Sequence, residues 1–313
     1  MLEQEQFLWV EKYRPKTVAE TILIPDLKKV FQQFVDQKNI PNLILAGGAG
    51  VGKTTVARAM LEELNCDYII INGSLNGDID TLRYDIQGFA SSVSFSGGRK
   101  YVILDEADYL NPKTQPALRN FMEEYAGNCG FIMTCNYKNK IIDPLHSRCS
   151  VIEFNMSKAD KPKLSVQFLK RVVNILEIEG IKYDKAVIAE VITQYFPDSR
   201  RILNELQRYA ASGAIDSGIL KSVRGVEFPE LIDLMKKKNF QEMRKWVGSN
   251  VDFDTYDLFR HFYDKAYDYI KPNFVPLLVV MVGKYQYQAA FSVDPEINFM
   301  AFLAEVTMDC EFV

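Results

Sequence analysis

A glycine-rich stretch that ends in a lysine and a threonine is the part of the sequence best suited to chemistry. Gly47 and Gly52 stand at the spacing G-x-x-x-x-G-K-[ST], which Lys53 and Thr54 complete. Glycines here let backbone N–H groups converge on phosphate oxygens at a helix N-terminus that already favours anions. The Lys53 ammonium would neutralise the β- and γ-phosphates, and the Thr54 hydroxyl would hold Mg²⁺. The stretch therefore predicts a nucleotide phosphate site.

Two adjacent carboxylates follow another apolar run later in the chain. Asp105 and Glu106 come directly after the strand-like residues 101–104. Beside a phosphate loop, one carboxylate can orient Mg²⁺ and its waters while the next polarises the attacking water. We assign Asp105 to the metal and Glu106 to the water. Taken alone, the pair is also compatible with an acidic loop at the end of a strand.

Three further polar residues stand at places where a site could lie. Asn136 ends an apolar run, where it could hydrogen-bond the γ-phosphate or the attacking water, or simply be a turn residue. The pattern does not separate these interpretations. Arg148 precedes another apolar run and Arg200 begins a helical pattern. Because isolated arginines are usually solvated, the pattern alone does not single out either of them.

Short apolar runs alternate with helical patterns over the first half of the chain, and they must position these residues. Strands are predicted at 43–45, 69–71, 100–105, 130–136 and 150–154, and helices at 27–37, 78–93 and 114–125. This alternation indicates an α/β fold with a parallel sheet covered by helices on both faces. Such a sheet binds ligands at the carboxyl ends of its strands, where the glycine-rich stretch and the carboxylates lie.

Beyond residue 155 the pattern is helical only. Helices are predicted at 163–180, 184–195 and 200–212, and a second helical block runs from about residue 226 to the end. That block carries aromatic residues at helical spacing, which is more typical of a core or a subunit interface than of base stacking. These aromatics are Phe253, Tyr256, Phe259, Phe262 and Tyr263.

The composition narrows the class of protein. At 313 residues with 48% hydrophobic and 25% charged residues, the chain is typical of a globular protein with two or three domains. No apolar run reaches the roughly 20 residues of a membrane helix, and residues 1–14 lack a signal-peptide core, so we expect a cytoplasmic protein that is neither secreted nor membrane-bound. A net charge of −4 argues against coating nucleic acid by overall positive charge, although local contacts stay open. The five cysteines are an odd number with no C-x-x-C pair, so the sequence supports neither a disulfide framework nor a zinc ribbon.

The order of the motifs resembles AAA+ clamp-loader subunits of the replication factor C type. The motifs are LWVEKYRP, GGAGVGKTT, ILDEAD, TQPALRNFMEEY, TCN, SRC and PDSRRILNELQ. The short C-terminal block and the overall length resemble the large ATPase subunit of tailed-phage clamp loaders. The resemblance implies an AAA+ P-loop fold with a parallel five-stranded sheet. It also implies an AAA+ nucleotide-binding domain at 1–156, a helical lid domain at 157–224 and an all-α collar domain at 225–313.

The resemblance also implies roles for individual residues. In the family, the segment that matches 10–15 lies against the adenine and the residue that matches Ile22 helps to cover it. Asn136 matches a sensor at the γ-phosphate and Arg200 matches a second sensor from the lid. Arg148 matches an arginine finger that reaches the nucleotide of a neighbouring subunit. The nucleotide-binding positions are Val10, Glu11, Lys12, Tyr13, Ile22, Gly50, Val51, Gly52, Lys53, Thr54, Thr55 and Arg200. Gly48 and Ala49 depart from the family pattern because they replace prolines that are common in this loop.

Finally, the resemblance implies cofactors and partners. The cofactors are ATP and Mg²⁺. The partners are other loader subunits in a hetero-oligomer, a ring-shaped sliding clamp and primer–template DNA. The hetero-oligomer would be a pentamer that contains several copies of this chain. DNA contacts would be made to phosphates, and Arg83, Lys113 and Arg119 are candidates. Gln115 resembles a position that couples the nucleotide and DNA sites. Two alternatives stay open, namely a helicase-type AAA+ motor and a structural loader subunit that binds nucleotide without hydrolysing it.

Overall fold

The computed structural model describes residues 7–74, 79–94, 98–111, 114–211, 213–216, 218–219, 228–249 and 255–313. The chain divides into two units, Met1–Leu220 and Lys221–Val313. The domain boundary predicted between residues 224 and 225 falls outside the described residues. The division of the first unit between residues 156 and 157 likewise stays a prediction.

A five-stranded parallel sheet organises the first unit, as the sequence predicts. Its strands are β1 (Leu43–Ala46), β2 (Tyr68–Asn72), β3 (Lys100–Asp105), β4 (Cys129–Cys135) and β5 (Ser150–Glu153). The strands lie side by side in the order β2-β3-β4-β1-β5. Strand β4 therefore lies between the strand that precedes the glycine-rich loop and the strand that precedes the carboxylates.

Both faces of the sheet are buried at its three central strands, β3, β4 and β1, which explains their long apolar runs, whereas the edge strands β2 and β5 are partly exposed. Ile44 and Ala46 pack into the core on one face of the sheet, and Leu43 and Leu45 pack into the core on the other. Successive side chains of a strand point to opposite faces, so a short apolar run fills two cores at once.

Helices cover the sheet. They are α1 (Trp9–Lys12), α2 (Pro25–Asp36), α3 (Lys53–Glu63), α4 (Ile79–Ser91), α5 (Gln115–Glu124) and α6 (Asp143–His146), with 3₁₀ turns at Ala107–Tyr109 and Lys138–Lys140. The predicted helices over 27–37, 78–93 and 114–125 correspond to α2, α4 and α5 within a few residues. The four-residue helices α1 and α6 were not predicted, because one helical turn is too short to show a period.

Three helices follow the sheet in the same unit. They are α7 (Asp160–Ile178), α8 (Lys185–Tyr195) and α9 (Ser199–Ala210). Asp184 caps α8 by accepting from Ala186 N–H, and Asp198 caps α9 by accepting from Arg201 N–H. The prediction of helices only beyond residue 155 is wrong in one respect. A two-stranded parallel sheet joins β6 (Lys182–Tyr183) to β7 (Ala214–Ile215), and strands of two residues leave no pattern in a sequence.

The second unit is helical among its described residues. Its helices are α10 (Phe228–Lys236), α11 (Phe240–Ser249), α12 (Thr255–Asp264), α13 (Ala266–Tyr269), α14 (Val275–Ala289) and α15 (Pro295–Asp309), with a 3₁₀ turn at Pro272–Phe274. Phe259 and Phe262 are fully buried and meet Phe302 edge to face at centroid distances of 5.0 and 5.3 Å. Two of the predicted aromatics thus belong to the core, whereas Tyr263 is 43% exposed. Phe253 lies outside the described residues.

Candidate nucleotide-binding site

A pocket opens at the carboxyl edge of the sheet in the first unit. Its lining comes from the N-terminal segment, the glycine-rich loop, the ends of β3 and β4, and the helices α7 and α9. The sequence-predicted residues that line it are Val10, Tyr13, Ile22, Gly50, Val51, Gly52, Lys53, Thr54, Thr55, Asp105, Glu106, Asn136 and Arg200. Residues that lie far apart in the sequence therefore converge on a single pocket.

The strand order explains this convergence. Ala46 pairs with Cys135 across β1 and β4, and Leu104 pairs with Met133 across β3 and β4. Because the strands are parallel, the residues that follow them emerge at the same edge of the sheet. Asn136, which follows β4, lies between the glycine-rich loop and the carboxylates.

Two glycines give the loop its shape. Gly50 has φ +69° and Gly52, the residue before α3, has φ +97°, a left-handed conformation that glycine adopts without strain. A Cβ atom at Gly50 would lie 2.1 Å from Asp198 Oδ1. The Ser199 N–H donates to the Gly50 carbonyl at 3.4 Å. The loop therefore closes directly against the N-terminus of α9.

Lys53 is the cation at the centre of the pocket. Its side chain is only 8% exposed, and its Nζ donates to the Gly47 and Gly48 carbonyls at 2.7 and 2.6 Å and to Asn136 Oδ1 at 3.0 Å. Burial lowers the pKa of the Lys53 ammonium, while the negative charges of Asp105 and Asp108 act in the opposite direction. A buried ammonium held by carbonyl and amide oxygens is well suited to receive a phosphate, because an anion restores the charge balance.

Asp105 and Thr54 form the part of the site that suits a divalent cation. Asp105 Oδ1 accepts from Thr54 Oγ1 at 2.6 Å and from Thr134 Oγ1 at 2.5 Å. A carboxylate beside a hydroxyl is the oxygen donor set that Mg²⁺ takes together with phosphate oxygens and water. These residues fit the ion. Among the described residues, no three His, Cys, Asp or Glu side chains form a separate metal site.

Glu106 lines the pocket in a strained backbone conformation. It has φ +55° and ψ +43°, which is uncommon for a residue with a side chain, and its N–H donates to Thr134 Oγ1 at 3.1 Å. A Cβ atom at Gly73, the residue after β2, would lie 2.6 Å from the Glu106 carbonyl oxygen, so this position requires a glycine. Strained residues of this kind occur at sites where a side chain has to be aimed.

Asp108 contributes to the site although it does not line the pocket, and no pattern in the sequence predicted a role for it. Its side chain is 6% exposed, and its Oδ2 accepts from the N–H groups of Asn136 and Tyr137, each at 3.2 Å. Its Oδ1 is buried and has no hydrogen-bond partner among the described residues. Asp108 thus fixes the backbone that carries Asn136. The motif DEAD in the sequence marked its presence but not this contact.

Residues of α7 and α9 were also missed by the sequence analysis. Phe168 and Arg171 on α7 and Leu203 on α9 line the pocket beside the predicted Arg200. In the sequence they resemble an ordinary amphipathic pattern, because Phe and Leu at helical spacing predict a core and an isolated arginine predicts a solvated surface. Only the packing of the helices against the loop brings them to the site.

Glu11 and Lys12 do not line the pocket. Glu11 forms ion pairs with Arg14 and, at 3.7 Å, with Arg58 on α3. Burial acts to raise the pKa of the Glu11 carboxyl, but the hydrogen bond and charge of Arg14 and the charge of Arg58 lower it overall. Lys12 donates to Glu179, the residue that follows α7, at 2.7 Å. Both side chains therefore tie the N-terminal segment to its surroundings instead of facing the cavity.

Arg148 lies apart from the pocket of its own chain. Its Nε donates to Glu123 on α5 at 2.9 Å and its Nη1 donates to the Pro144 carbonyl at 2.9 Å. The side chain is 29% exposed, at the turn between α6 and β5. It cannot act on the nucleotide of its own chain from this place, so the predicted role requires a second subunit.

The predicted DNA-contact residues differ in their surroundings. Arg83 and Arg119 are exposed, whereas Lys113 lies outside the described residues. Gln115 is 1% exposed, donates to the Lys140 carbonyl at 2.9 Å and accepts from the Ile142 N–H at 2.9 Å. Gln115 is therefore a buried junction between α5 and the chain that leads to α6.

Two protein-family models match the chain. The model described as "Sliding-clamp-loader large subunit, AAA+ ATPase lid domain" matches residues 160–221. The model described as "ATPase family associated with various cellular activities (AAA)" matches residues 43–156. The five-stranded sheet lies within the second match, and the helices α7 to α9 lie within the first.

Similar proteins come from phages and archaea. The chain is 36% identical over 250 residues to the sliding-clamp-loader large subunit of Enterobacteria phage T4, which covers 78% of each protein. It is 32% identical over 315 residues to the replication factor C small subunit of Archaeoglobus fulgidus, which covers 95% of this chain and 96% of that protein. Among solved structures, the RuvB Holliday junction branch migration motor of Thermotoga maritima matches with a TM-score of 0.54 at 18% identity, over 67% of this chain and 71% of that one. At this identity, the likeness to RuvB shows the fold alone.

Proposed function

The chain belongs to the AAA+ clamp-loader family of the sliding-clamp-loader large subunits and replication factor C small subunits, and from this premise we propose how it uses ATP. It is an ATPase subunit of a sliding-clamp loader that acts in DNA replication. The pocket at the carboxyl edge of the sheet binds ATP, and its occupancy controls the opening of a ring-shaped clamp. Hydrolysis then releases the loader and leaves the ring closed around primer–template DNA.

One observation carries the assignment of the catalytic centre. Asp105 ends β3, Asn136 follows the neighbouring β4, and Lys53 begins the helix α3 after the loop that leaves β1; Lys53 Nζ contacts Asn136 Oδ1 at 3.0 Å. We assign Lys53 to the β- and γ-phosphates and Asn136 to the γ-phosphate. Glu106, which lines the same pocket, orients and deprotonates the attacking water.

Mg²⁺ fits the Thr54 and Asp105 oxygens, which lie 2.6 Å apart. When bound, the ion neutralises the charge that develops on the phosphate oxygens during transfer. The chain's own contribution is to hold the two oxygens in place. Thr134 supports this arrangement because it donates a second hydrogen bond to the same Asp105 oxygen.

The nucleotide is enclosed from two further directions. Arg200, at the N-terminal end of α9, faces the pocket from the lid side and reports the presence of the γ-phosphate. Val10, Tyr13 and Ile22 form the wall against the adenine. A guanidinium is suited to the sensor role because it stays charged and reads phosphate oxygens with several donors.

Arg148 completes the site of a neighbouring subunit. Its side chain lies at the surface, outside the pocket of its own chain, where it donates to Glu123, Pro144 and Ser147. An arginine finger supplied in trans stabilises the charge of the transition state. We therefore propose a hetero-oligomer, a pentamer with several copies of this chain, in which turnover depends on assembly.

DNA is held through its phosphates, which is consistent with a chain of net charge −4. Exposed Arg83 and Arg119 are the described candidates. Both alternatives are less well supported. The likeness to RuvB, a motor, is at 18% identity and concerns the fold. The pocket also contains Glu106, and a subunit that binds nucleotide without hydrolysing it does not need a carboxylate that can activate water.

A clamp-loading assay tests the proposed function. The chain, assembled with its cognate loader subunit, is incubated with labelled clamp and primed circular DNA, and the DNA is then separated by gel filtration. We expect the clamp to co-elute with DNA only when ATP and the loader are present, and not with the Lys53→Ala variant. Clamp on the DNA to the same extent without ATP, or with the variant, would contradict the proposal.

A further inference from the structure

Arg171 on α7 holds two backbone carbonyls of the N-terminal segment. Its Nη2 donates to the Tyr13 carbonyl at 2.5 Å and its Nη1 donates to the Glu20 carbonyl at 2.9 Å. The two acceptors are separated by six residues of chain. A single guanidinium therefore fixes the distance between the two ends of the stretch 13–20.

This stretch forms one wall of the pocket. Tyr13, Arg14 and Pro15 at its start line the cavity, and so do Thr21 and Ile22 directly after its end. Arg171 itself also lines the cavity. If the two carbonyls moved apart, the residues on both sides of the stretch would move with them, and the shape of the wall would change.

The pocket beside this wall differs in polarity from the part that we assign to the phosphates. Val10, Ile22, Phe168 and Leu203 provide apolar side chains beside the wall, whereas the groups that we assign to the phosphates and to Mg²⁺ belong to the loop and the strand ends. An apolar slot beside a phosphate cradle is suited to the flat face of a base. The segment held by Arg171 therefore borders the base end of the pocket.

Other hydrogen bonds also hold the N-terminal segment in place. The Trp9 N–H donates to Gln207 Oε1 on α9 at 2.9 Å, and Tyr13 Oη donates to Glu179 Oε1 at 2.6 Å. On the opposite side, the Val18 N–H donates to Glu63 Oε2 on α3 at 2.8 Å. The segment thus spans from the lid helices to the helix that follows the phosphate loop.

Arginine is well suited to the double contact of residue 171, because the contact uses two different nitrogens. Its planar guanidinium carries five N–H donors in a fixed fork, so two donors can address two separate carbonyls at once. Burial lowers the pKa of this guanidinium, which nonetheless stays charged, and the partly desolvated charge strengthens both hydrogen bonds. A lysine has one nitrogen and cannot hold both carbonyls in the same geometry.

We propose that Arg171 is a positioning residue for the base of the nucleotide. It holds the Tyr13 to Glu20 backbone in the shape that the adenine requires, and it acts on neither the phosphates nor the hydrolysis step. The lid helix α7 thereby sets the affinity for the base, while Lys53 and the loop set the affinity for the phosphates. The proposal rests on the proposed function only in that the pocket binds ATP.

The test separates the base from the phosphates by using two ligands. Calorimetric titration of the full chain with Mg²⁺-ATP and with Mg²⁺-tripolyphosphate gives a Kd for each. For Arg171→Ala we expect the Kd for ATP to rise about tenfold, the size of a charge-assisted contact of about 1.4 kcal/mol. The Kd for tripolyphosphate should stay unchanged, because this ligand has no base.

Two further variants control the result. Lys170 is an exposed neighbour on α7, and Lys170→Ala should leave both dissociation constants unchanged. Arg171→Lys keeps the charge but must reach both carbonyls from one nitrogen, which cannot reproduce the geometry of the two contacts, so its ATP affinity should lie between those of the wild type and Arg171→Ala. Arg171→Lys also preserves the experiment if Arg171→Ala does not fold, which thermal unfolding will report.

Two results would overturn the proposal. An equal rise in the Kd for ATP and in the Kd for tripolyphosphate would show that Arg171 supports the whole pocket. An unchanged Kd for ATP would show that Arg171 does not position the base. Neither result would contradict the proposed loader function. Conversely, a wild-type chain that binds ATP but loads no clamp would refute the loader function and leave the role of Arg171 intact.

Discussion

Lys53 illustrates how single residues of this site depend on their neighbours. Its ammonium is held by two loop carbonyls and by the Asn136 amide oxygen, and Asn136 in turn is held through its backbone by Asp108. The cation, the amide and the buried carboxylate form a connected chain. A substitution at one of these positions should therefore displace the side chains at the others, and the displacement should be larger when the substitution removes more hydrogen bonds.

Glu106→Gln should separate ATP binding from hydrolysis. The amide keeps the size of the side chain but cannot take a proton from water, so kcat should fall by about 10² to 10⁴, the usual contribution of a general base. ATP affinity should change little, since Lys53 and the loop carry the phosphate contacts. Phosphate release in the assembled loader and ATP titration measure the two quantities. A variant that hydrolyses ATP at the normal rate would remove Glu106 from this role.

Asp108 should act through Asn136. Asp108→Ala removes the acceptor for two backbone N–H groups, and the resulting displacement of Asn136 should lower kcat by about tenfold or more, because small misplacements are costly in catalysis. Asp108→Asn keeps an acceptor oxygen and should recover most of the loss. The measurement is steady-state ATPase activity at saturating ATP.

A double-mutant cycle provides the control for Asp108. In an Asn136→Ala background, Asp108→Ala should have little further effect on kcat, because the group that it positions is already absent. If the two losses instead multiply, Asp108 acts independently of Asn136 and the positioning role is wrong.

At the scale of the elements, the loop and the helix α9 are fitted to each other. Gly50 leaves no room for a side chain, since a Cβ atom would lie 2.7 Å from Asp198 Cγ and 2.8 Å from Asp198 Cα. Gly48, two residues earlier, has no atom within 4 Å of such a position. The two glycines thus offer a matched pair in one loop.

Gly50→Ala should weaken both folding and nucleotide binding. The new methyl group requires α9 to move away from the loop and strains a backbone with φ +69°, so we expect a loss of about 1–3 kcal/mol in the free energy of unfolding. ATP affinity should fall in parallel because Arg200 moves with α9. Gly48→Ala should leave both quantities nearly unchanged. Denaturant unfolding and ATP titration measure them, and equal effects of the two variants would disprove the fit.

The sheet could be predicted from the sequence because its signals are local. Each strand is an apolar run of suitable length bounded by polar residues, and the glycine-rich loop and the Asp105–Glu106 pair mark the edge where the ligand lies. The prediction of an AAA+ fold with a parallel five-stranded sheet is confirmed, and so is the resemblance to the clamp loaders. The two-residue strands β6 and β7 could not be found because they contain no repeat.

The rest of the site depends on packing between distant segments. Arg171 meets the Tyr13 carbonyl across 158 positions of sequence, and no local pattern encodes that contact. Asp108 lies only 28 positions from Asn136, yet its role depends on β3 and β4 being neighbours. The roles assigned to Lys53, Glu106, Asn136, Arg148 and Arg200 stay predictions.

At the scale of the whole molecule, the proposed site needs a residue from a second chain. Arg148 faces away from the pocket of its own subunit and pairs with Glu123 on the surface. An exposed ion pair of this kind contributes little to stability, typically about 0–1 kcal/mol. Its replacement should therefore leave the fold intact and reveal its effect only in the assembly.

Arg148→Ala should preserve ATP binding by the single chain and abolish turnover by the assembled loader. We expect kcat to fall by about 10³ to 10⁵, as for other arginine fingers supplied in trans. Glu123→Ala is the control, since it removes the same ion pair but keeps the guanidinium, and it should retain most of the activity. If Arg148→Ala were no less active than Glu123→Ala, the finger assignment would be wrong.

ATP hydrolysis by the assembled loader tests the central claim most directly. Steady-state phosphate release is measured with clamp alone, with primer–template DNA alone, and with both. Because the proposed function couples hydrolysis to closing the ring on DNA, we predict that the rate with both exceeds the sum of the two separate stimulations. A rate with both that is no greater than this sum would contradict the assignment of the chain as a clamp-loader ATPase.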